Sequence, residues 1–323
     1  MTGRRPPWLH LPGGGDPDAT FVIRRPPRRR VPQSAILSGI VLAVLFAVLV
    51  VFLRPPASAP TPAGLVAGAA APLAGESALL AVDTNRVSLW RFADDPAILV
   101  MIFPSLHEQA MTLDRIAEFV ERAGGPRDRV LDDASLRAAI AATGDNFDTV
   151  YYGHDYRAAD LQRFFAIAGA DQIVLDPEEL LLKEQMQQQG LLTPGDVGAL
   201  ISMPPKGDGV LDASARAAIL RHELSHGLYF TDPAYNAYVQ QFWQNNMTAG
   251  ERAGMRNFLV SEGYDGTNKD LMRNEALAYL VHTPDRRFFT AQVAGMDDAA
   301  ARELRDSFIA GMPAGWLRAR TAP

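Results

Sequence analysis

Residues 34–53 form the most apolar stretch of the chain, SAILSGIVLAVLFAVLVVFL, without a charge and without a polar face. At about 1.5 Å per residue, a helix of this length spans roughly 30 Å, the thickness of a bilayer core. It exceeds the apolar core of a cleaved signal peptide, about 7–15 residues. The pattern therefore predicts a retained transmembrane helix. From residue 76 the pattern becomes that of a globular domain. The unbroken apolar run 97–103, stopped by Pro104, predicts a buried strand. Leu106, Leu113, Ile116 and Val120 fall at helical spacing within 106–123, and Gly124-Gly125-Pro126 ends that helix. Further helices are predicted over 133–142, 157–168 and 177–190, and a second strand over 147–152. His107 and His154 follow the two strands, where loops often line a cleft.

Beyond residue 212 the pattern is almost wholly helical. Helices are predicted over 213–229, 234–246, 249–261 and 269–282, with a turn at 263–266. Asp212 or Ser214 can cap the first of them. The aromatic-rich stretch 229–243 is expected to pack these helices together. The expected fold class is α+β: a mixed α/β first half, a mainly helical second half, and one transmembrane helix ahead of both.

Charge divides the chain at the same places. Residues 1–33 carry seven Arg against two Asp and are rich in Pro and Gly. They are expected to be a disordered basic tail. Arg24, Arg25, Arg28, Arg29 and Arg30 precede the apolar span and only Arg54 follows it closely. The excess of positive charge on one flank orients the span, with the N-terminus cytoplasmic and everything after Leu53 outside the cytoplasm. Residues 54–75, with five Pro and eight Ala, are expected to be a partly extended linker. The remaining domain is 76–323, and residues 55–323 carry a balance of −12. This acidity excludes nucleic acid as a partner of the domain. The bilayer, contacted through 34–53, is the expected partner of the anchor.

The chain has no cysteine. Disulfides, thiol nucleophiles, iron–sulfur clusters and thiolate zinc sites are thereby excluded, and any metal must be held by His, Asp or Glu. The residues suited to this are His222-Glu223-Leu224-Ser225-His226. The segment lies in the predicted helix 213–229, so its two imidazoles, four residues apart, share one face and can aim at one ion. Glu223 is one step round the helix, beside such an ion, where a base for water is needed.

The segment Ile219-Leu220-Arg221-His222-Glu223-Leu224-Ser225-His226-Gly227-Leu228 resembles the extended signature of the zincin metallopeptidases. Leu224 and Ser225 supply its uncharged positions and Leu228 its apolar one. The metzincin continuation is absent, because Tyr229 and Asp232 stand at its Gly and His positions. The resemblance therefore implies a third ligand of the gluzincin kind, a glutamate on a second helix. Asn274-Glu275-Ala276-Leu277-Ala278 resembles the gluzincin NExxA pattern and makes Glu275 the candidate. Glu262, at the end of a helix against Gly263, is the rival.

The resemblance implies a zincin-like domain holding Zn²⁺ on His222, His226 and Glu275, with Glu223 as the catalytic base. Tyr264, Tyr279 and His282 are candidate donors to the developing oxyanion. Tyr279 and His282 fall four and seven residues after Glu275, on its face of the predicted helix. The function expected is hydrolysis of peptide bonds in peptide or protein substrates outside the cytoplasm. Two alternatives stay open: a zinc amide hydrolase acting on peptidoglycan or another non-protein amide, and an inactive zincin-like binding module.

Overall fold

The computed structural model describes residues 70–207 and 211–321. The basic tail 1–33, the apolar span 34–53 and all of the linker but its last six residues lie outside the described residues. Among those described, no helix is long and apolar enough to cross a membrane.

The apolar run 97–103 forms a strand because both of its faces are covered. Five strands, β1 (Leu73–Ala74), β2 (Ser88–Phe92), β3 (Ile98–Ile102), β4 (Asp155–Arg157) and β5 (Ala199–Met203), form one mixed sheet in the order β1-β2-β3-β5-β4. β3 pairs parallel with β5, while β2 and β4 run antiparallel to their neighbours β3 and β5. Strands buried on both sides lose the alternation of a half-exposed strand and read as continuous apolar segments.

The helices follow in chain order: α1 (Glu76–Ala81), α2 (Leu106–Val120), α3 (Asp133–Ala142), α4 (Ala158–Ala170), α5 (Pro177–Gln188), α6 (Ala213–Thr231), α7 (Pro233–Asn245), α8 (Ala249–Glu262), α9 (Lys269–Leu277), α10 (Asp298–Gly311) and α11 (Trp316–Thr321). Ser105, Asp132 and Asp212 cap α2, α3 and α6 by accepting a backbone N–H three residues on. Leu99, Met101 and Leu200 face Leu113, Ile116 and Phe164 of α2 and α4. On the other face Ile98, Val100, Ile201 and Met203 meet Leu220 and Leu224 of α6. Gly227 allows that contact to be close, since a Cβ there would come within 2.8 Å of Ile98 Cδ1. The far side of α6 contributes Ile219, Leu228 and Tyr229 to a third apolar cluster, shared with α7 to α11. Helix α6 is thus buried between the sheet and the helical half.

Three expectations are corrected. Residues 147–152 are not a strand. Asn146 accepts from the Asp148 N–H and closes a 3₁₀ turn at Phe147–Thr149. The chain reaches the sheet only at Asp155, although Val150, Tyr151 and Tyr152 are buried and read as strand residues. The end of the linker belongs to the domain, because Leu73 and Ala74 pair with Arg91 and Phe92. The helix over 269–282 is not α throughout. It is α to Leu277 and a π turn over Ala278–His282. Pro284 stops it, by disfavouring helical geometry at the preceding Thr283.

Candidate metal centre

Helix α6 carries His222, Glu223 and His226, all fully buried, and α9 brings Glu275 against them. Glu275 Oε2 lies 3.5 Å from His222 Nε2, and Oε1 lies 3.5 Å from His226 Nε2. A charge-assisted hydrogen bond would draw these atoms to about 2.7–2.9 Å. Ligands about 2.0–2.1 Å from one tetrahedral zinc stand about 3.3 Å from each other, close to the spacing found. Glu262 belongs to neither group of side chains able to hold a metal among the described residues.

Thr283, which the sequence reading did not single out, prepares His222 for this role. Its hydroxyl donates to Ala278 O at 3.1 Å and so is left to accept from His222 Nδ1–H at 2.7 Å. That assignment puts the proton on Nδ1 and the lone pair on Nε2, facing Glu275.

A second set of side chains able to hold a metal contains Asp155, Glu223 and His226. Asp155 Oδ2 is 3.9 Å from His226 Nε2 and has no hydrogen-bond partner among the described residues. Both sets use His226, so they border one chamber. Asp155 reaches the centre through sheet register. It pairs with Ile201, and residues opposite each other in a sheet point to the same face, here the face covered by α6. Its neighbour His154 points to the other face. There Nδ1 is 3.1 Å from Ser202 Oγ and Nε2 is 3.3 Å from Asp114 Oδ1. His154 thus anchors the strand instead of lining a cleft. His107 is exposed and pairs with Asp148.

Glu121, at the C-terminal cap of α2, completes a ring of buried carboxylates. Burial raises it well above the usual carboxylate range, and Asp155, Glu275 and Glu223 add to the effect. Burial likewise raises Glu223, reinforced by Asp155 and Glu275 against His226. Asp155 is raised to about 7, by burial above all. Burial also pushes Glu275 up, but His226 and His222 more than offset it and hold the carboxyl at about 2. Burial pulls His226 down, but Asp155 and Glu275 more than offset it and raise the imidazole to about 10. With no cation, Glu121, Glu223 and Asp155 are thus pushed towards their neutral forms, and a cation among them would let these carboxyls ionise. The donor set of nitrogens and oxygens suits zinc.

Glu223 fits its place only because residue 153 is glycine. A Cβ on Gly153 would lie 2.0 Å from Glu223 Oε1. Both Glu223 oxygens lack a hydrogen-bond partner among the described residues. Tyr279 sets its ring edge-on to His222, with centroids 4.9 Å apart, and edge-on to Tyr264 at 6.4 Å. His282 turns elsewhere. Its Nε2 is 3.2 Å from the Tyr235 hydroxyl and its Nδ1 is 3.4 Å from Thr321 Oγ1. The π turn explains the difference, because its wider i→i+5 winding takes residue 282 out of phase with Glu275.

His282 makes a separate prediction. Burial pushes its imidazole down to about 3, with the positive neighbours adding to the effect. The folded chain keeps it neutral where the unfolded chain, at the ordinary 6.5, takes up a proton. Its stabilising contribution is therefore full above the unfolded value and is lost as pH falls towards the folded one. Between pH 7 and pH 5 that loss is about 2 kcal/mol. Urea unfolding at both pH values should show the stability gap between the native chain and His282→Gln narrowing by this amount. Two parallel curves would show that the imidazole titrates normally.

No protein family, curated protein or solved structure matches the chain.

Proposed function

We propose that the chain is a zinc-dependent metallopeptidase of the zincin kind, with His222, His226 and Glu275 holding the metal. The observation that carries this reading is the 3.5 Å spacing of Glu275 from both imidazoles, too long for hydrogen bonds and suited to a shared ion. The chain's HExxH helix, buried between sheet and helices, supports it. The membrane anchor at 34–53, with the domain outside the cytoplasm, is part of the same proposal.

Zinc bound here supplies Lewis acidity, polarising a carbonyl and making water acidic near neutral pH. Thr283 keeps His222 in the tautomer that offers Nε2. Glu223 takes the proton from the attacking water and returns it to the leaving amine. Its burial raises its proton affinity, which suits both halves of that task. Tyr279 is the donor assigned to the developing oxyanion, ahead of His282.

Metal analysis of the purified full chain tests the reading. One zinc per chain is expected after dialysis, and His222→Ala should lose it. Hydrolysis of an unfolded protein should stop on chelation and return with zinc. A chain without zinc would sink the reading. Zinc-dependent release of amines from cell-wall fragments, with unfolded proteins left intact, would assign the site to peptidoglycan amides instead.

A further inference from the structure

Behind His222, away from the carboxylates, lies a cavity of about 490 Å³ whose charge runs against the composition of the domain. Arg221, Arg286, Arg302, Arg305 and Arg320 line it, and Asp298 is its one acidic residue. The partners of these guanidiniums determine how much charge is left over. Arg221 and Arg320 are matched by Glu76 and Asp94. Arg286 is 3.5 Å from Asp298. Arg302 makes no ion pair or hydrogen bond among the described residues. Arg305 gives its Nε–H to Leu280 O at 2.9 Å and pairs with no carboxylate among them. Burial lowers the Arg305 guanidinium from its ordinary range; Asp306 and Asp298 offset this in part, and Arg302 adds to it.

Five guanidiniums thus line one cavity with a single carboxylate, and neither Arg302 nor Arg305 forms an ion pair among the described residues, in a chain with a net charge of −6. Paired guanidiniums recognise phosphate oxygens by parallel N–H donors. Thr290 and Thr321 add hydroxyls to the lining. From Arg302, Arg305 and these hydroxyls we infer that the cavity is a binding site for a compact dianion, the phosphate group of a small ester or of a lipid headgroup. The site is distinct from the carboxylate chamber but adjoins it. Thr283 lines the cavity and also holds His222 Nδ1. A bound phosphate would therefore sit directly behind a proposed metal ligand.

Calorimetric titration of the full chain with inorganic phosphate, at constant ionic strength, tests the site with or without zinc. Its result is therefore independent of the metallopeptidase reading. Saturable binding of one phosphate per chain is expected. Arg302→Glu should weaken it at least about tenfold, since the change removes one of the two guanidiniums without an ion pair and adds an opposing charge. Lys183→Glu, a change of the same size on α5, should leave binding unaltered. Repeating the titration with vesicles of phosphatidylcholine, alone or mixed with phosphatidic acid, separates the sources. Loss of phosphate binding only with phosphatidic acid identifies the headgroup as the occupant. Unchanged binding identifies a free phosphate ester. Binding that is absent, or that survives Arg302→Glu, would overturn the assignment.

Discussion

Replacing Glu223 with glutamine is expected to leave one zinc per chain while lowering peptide hydrolysis by at least about a hundredfold, the usual contribution of a positioned general base. The substitution keeps the shape of the side chain and removes only its ability to accept and return a proton. The metal should stay because His222, His226 and Glu275 form a complete set without Glu223. The same experiment separates the two sets of ligands. If the ion instead sat among Asp155, Glu223 and His226, Glu223→Gln would release zinc as fully as His222→Ala. Metal content and kcat measured on the same preparations decide between these outcomes. Activity within twofold of the native chain would remove Glu223 from the mechanism.

Gly153→Ala should be almost as damaging, through a single methyl group. The new Cβ would stand 2.0 Å from Oε1, 2.8 Å from Cδ and 3.2 Å from Cγ of Glu223. The backbone leading into β4 cannot retreat easily, since the His154 carbonyl accepts from Ser202 N–H at 2.8 Å and Asp155 is registered on Ile201. The cheaper response is for the Glu223 carboxylate to swing away, which spares the fold and spoils the base. Zinc content should be unchanged, kcat should fall at least about tenfold, and stability should drop by about 1–3 kcal/mol, the usual cost of overpacking. Equal kcat and equal urea midpoints for variant and native chain would show that the contact relaxes without consequence.

The candidate site was legible in the sequence to unequal depths. His222, Glu223 and His226 could be read together because helical periodicity alone brings residues four apart onto one face. Asp212 could be read as a cap because its side chain bonds only three residues along the chain. Glu275 came from the resemblance of its surroundings to a gluzincin pattern; the fold brings it within 3.5 Å of both histidines. Asp155 escaped notice because it opens a strand of three residues, too short to show alternation. Glu121 escaped because it stands at a helix end, where a charged residue ordinarily meets water. The expectation for 147–152 failed because burial and strand pairing are different things. Those residues are packed inward while their backbone turns at Asn146.

By itself the sequence determined what local rules govern: helix limits, caps, the doubly buried strand, the absence of thiol chemistry and the pair of imidazoles on α6. These depend on interactions within a few residues of one another. Only the tertiary structure decided which carboxylates gather round those imidazoles, that Thr283 orients His222, that a π turn diverts His282, and that Gly153 makes room for the base. Each depends on the register of β4 against β5 or on the approach of α9 to α6. Those are distances between segments far apart in the chain, and no periodicity within either segment encodes them.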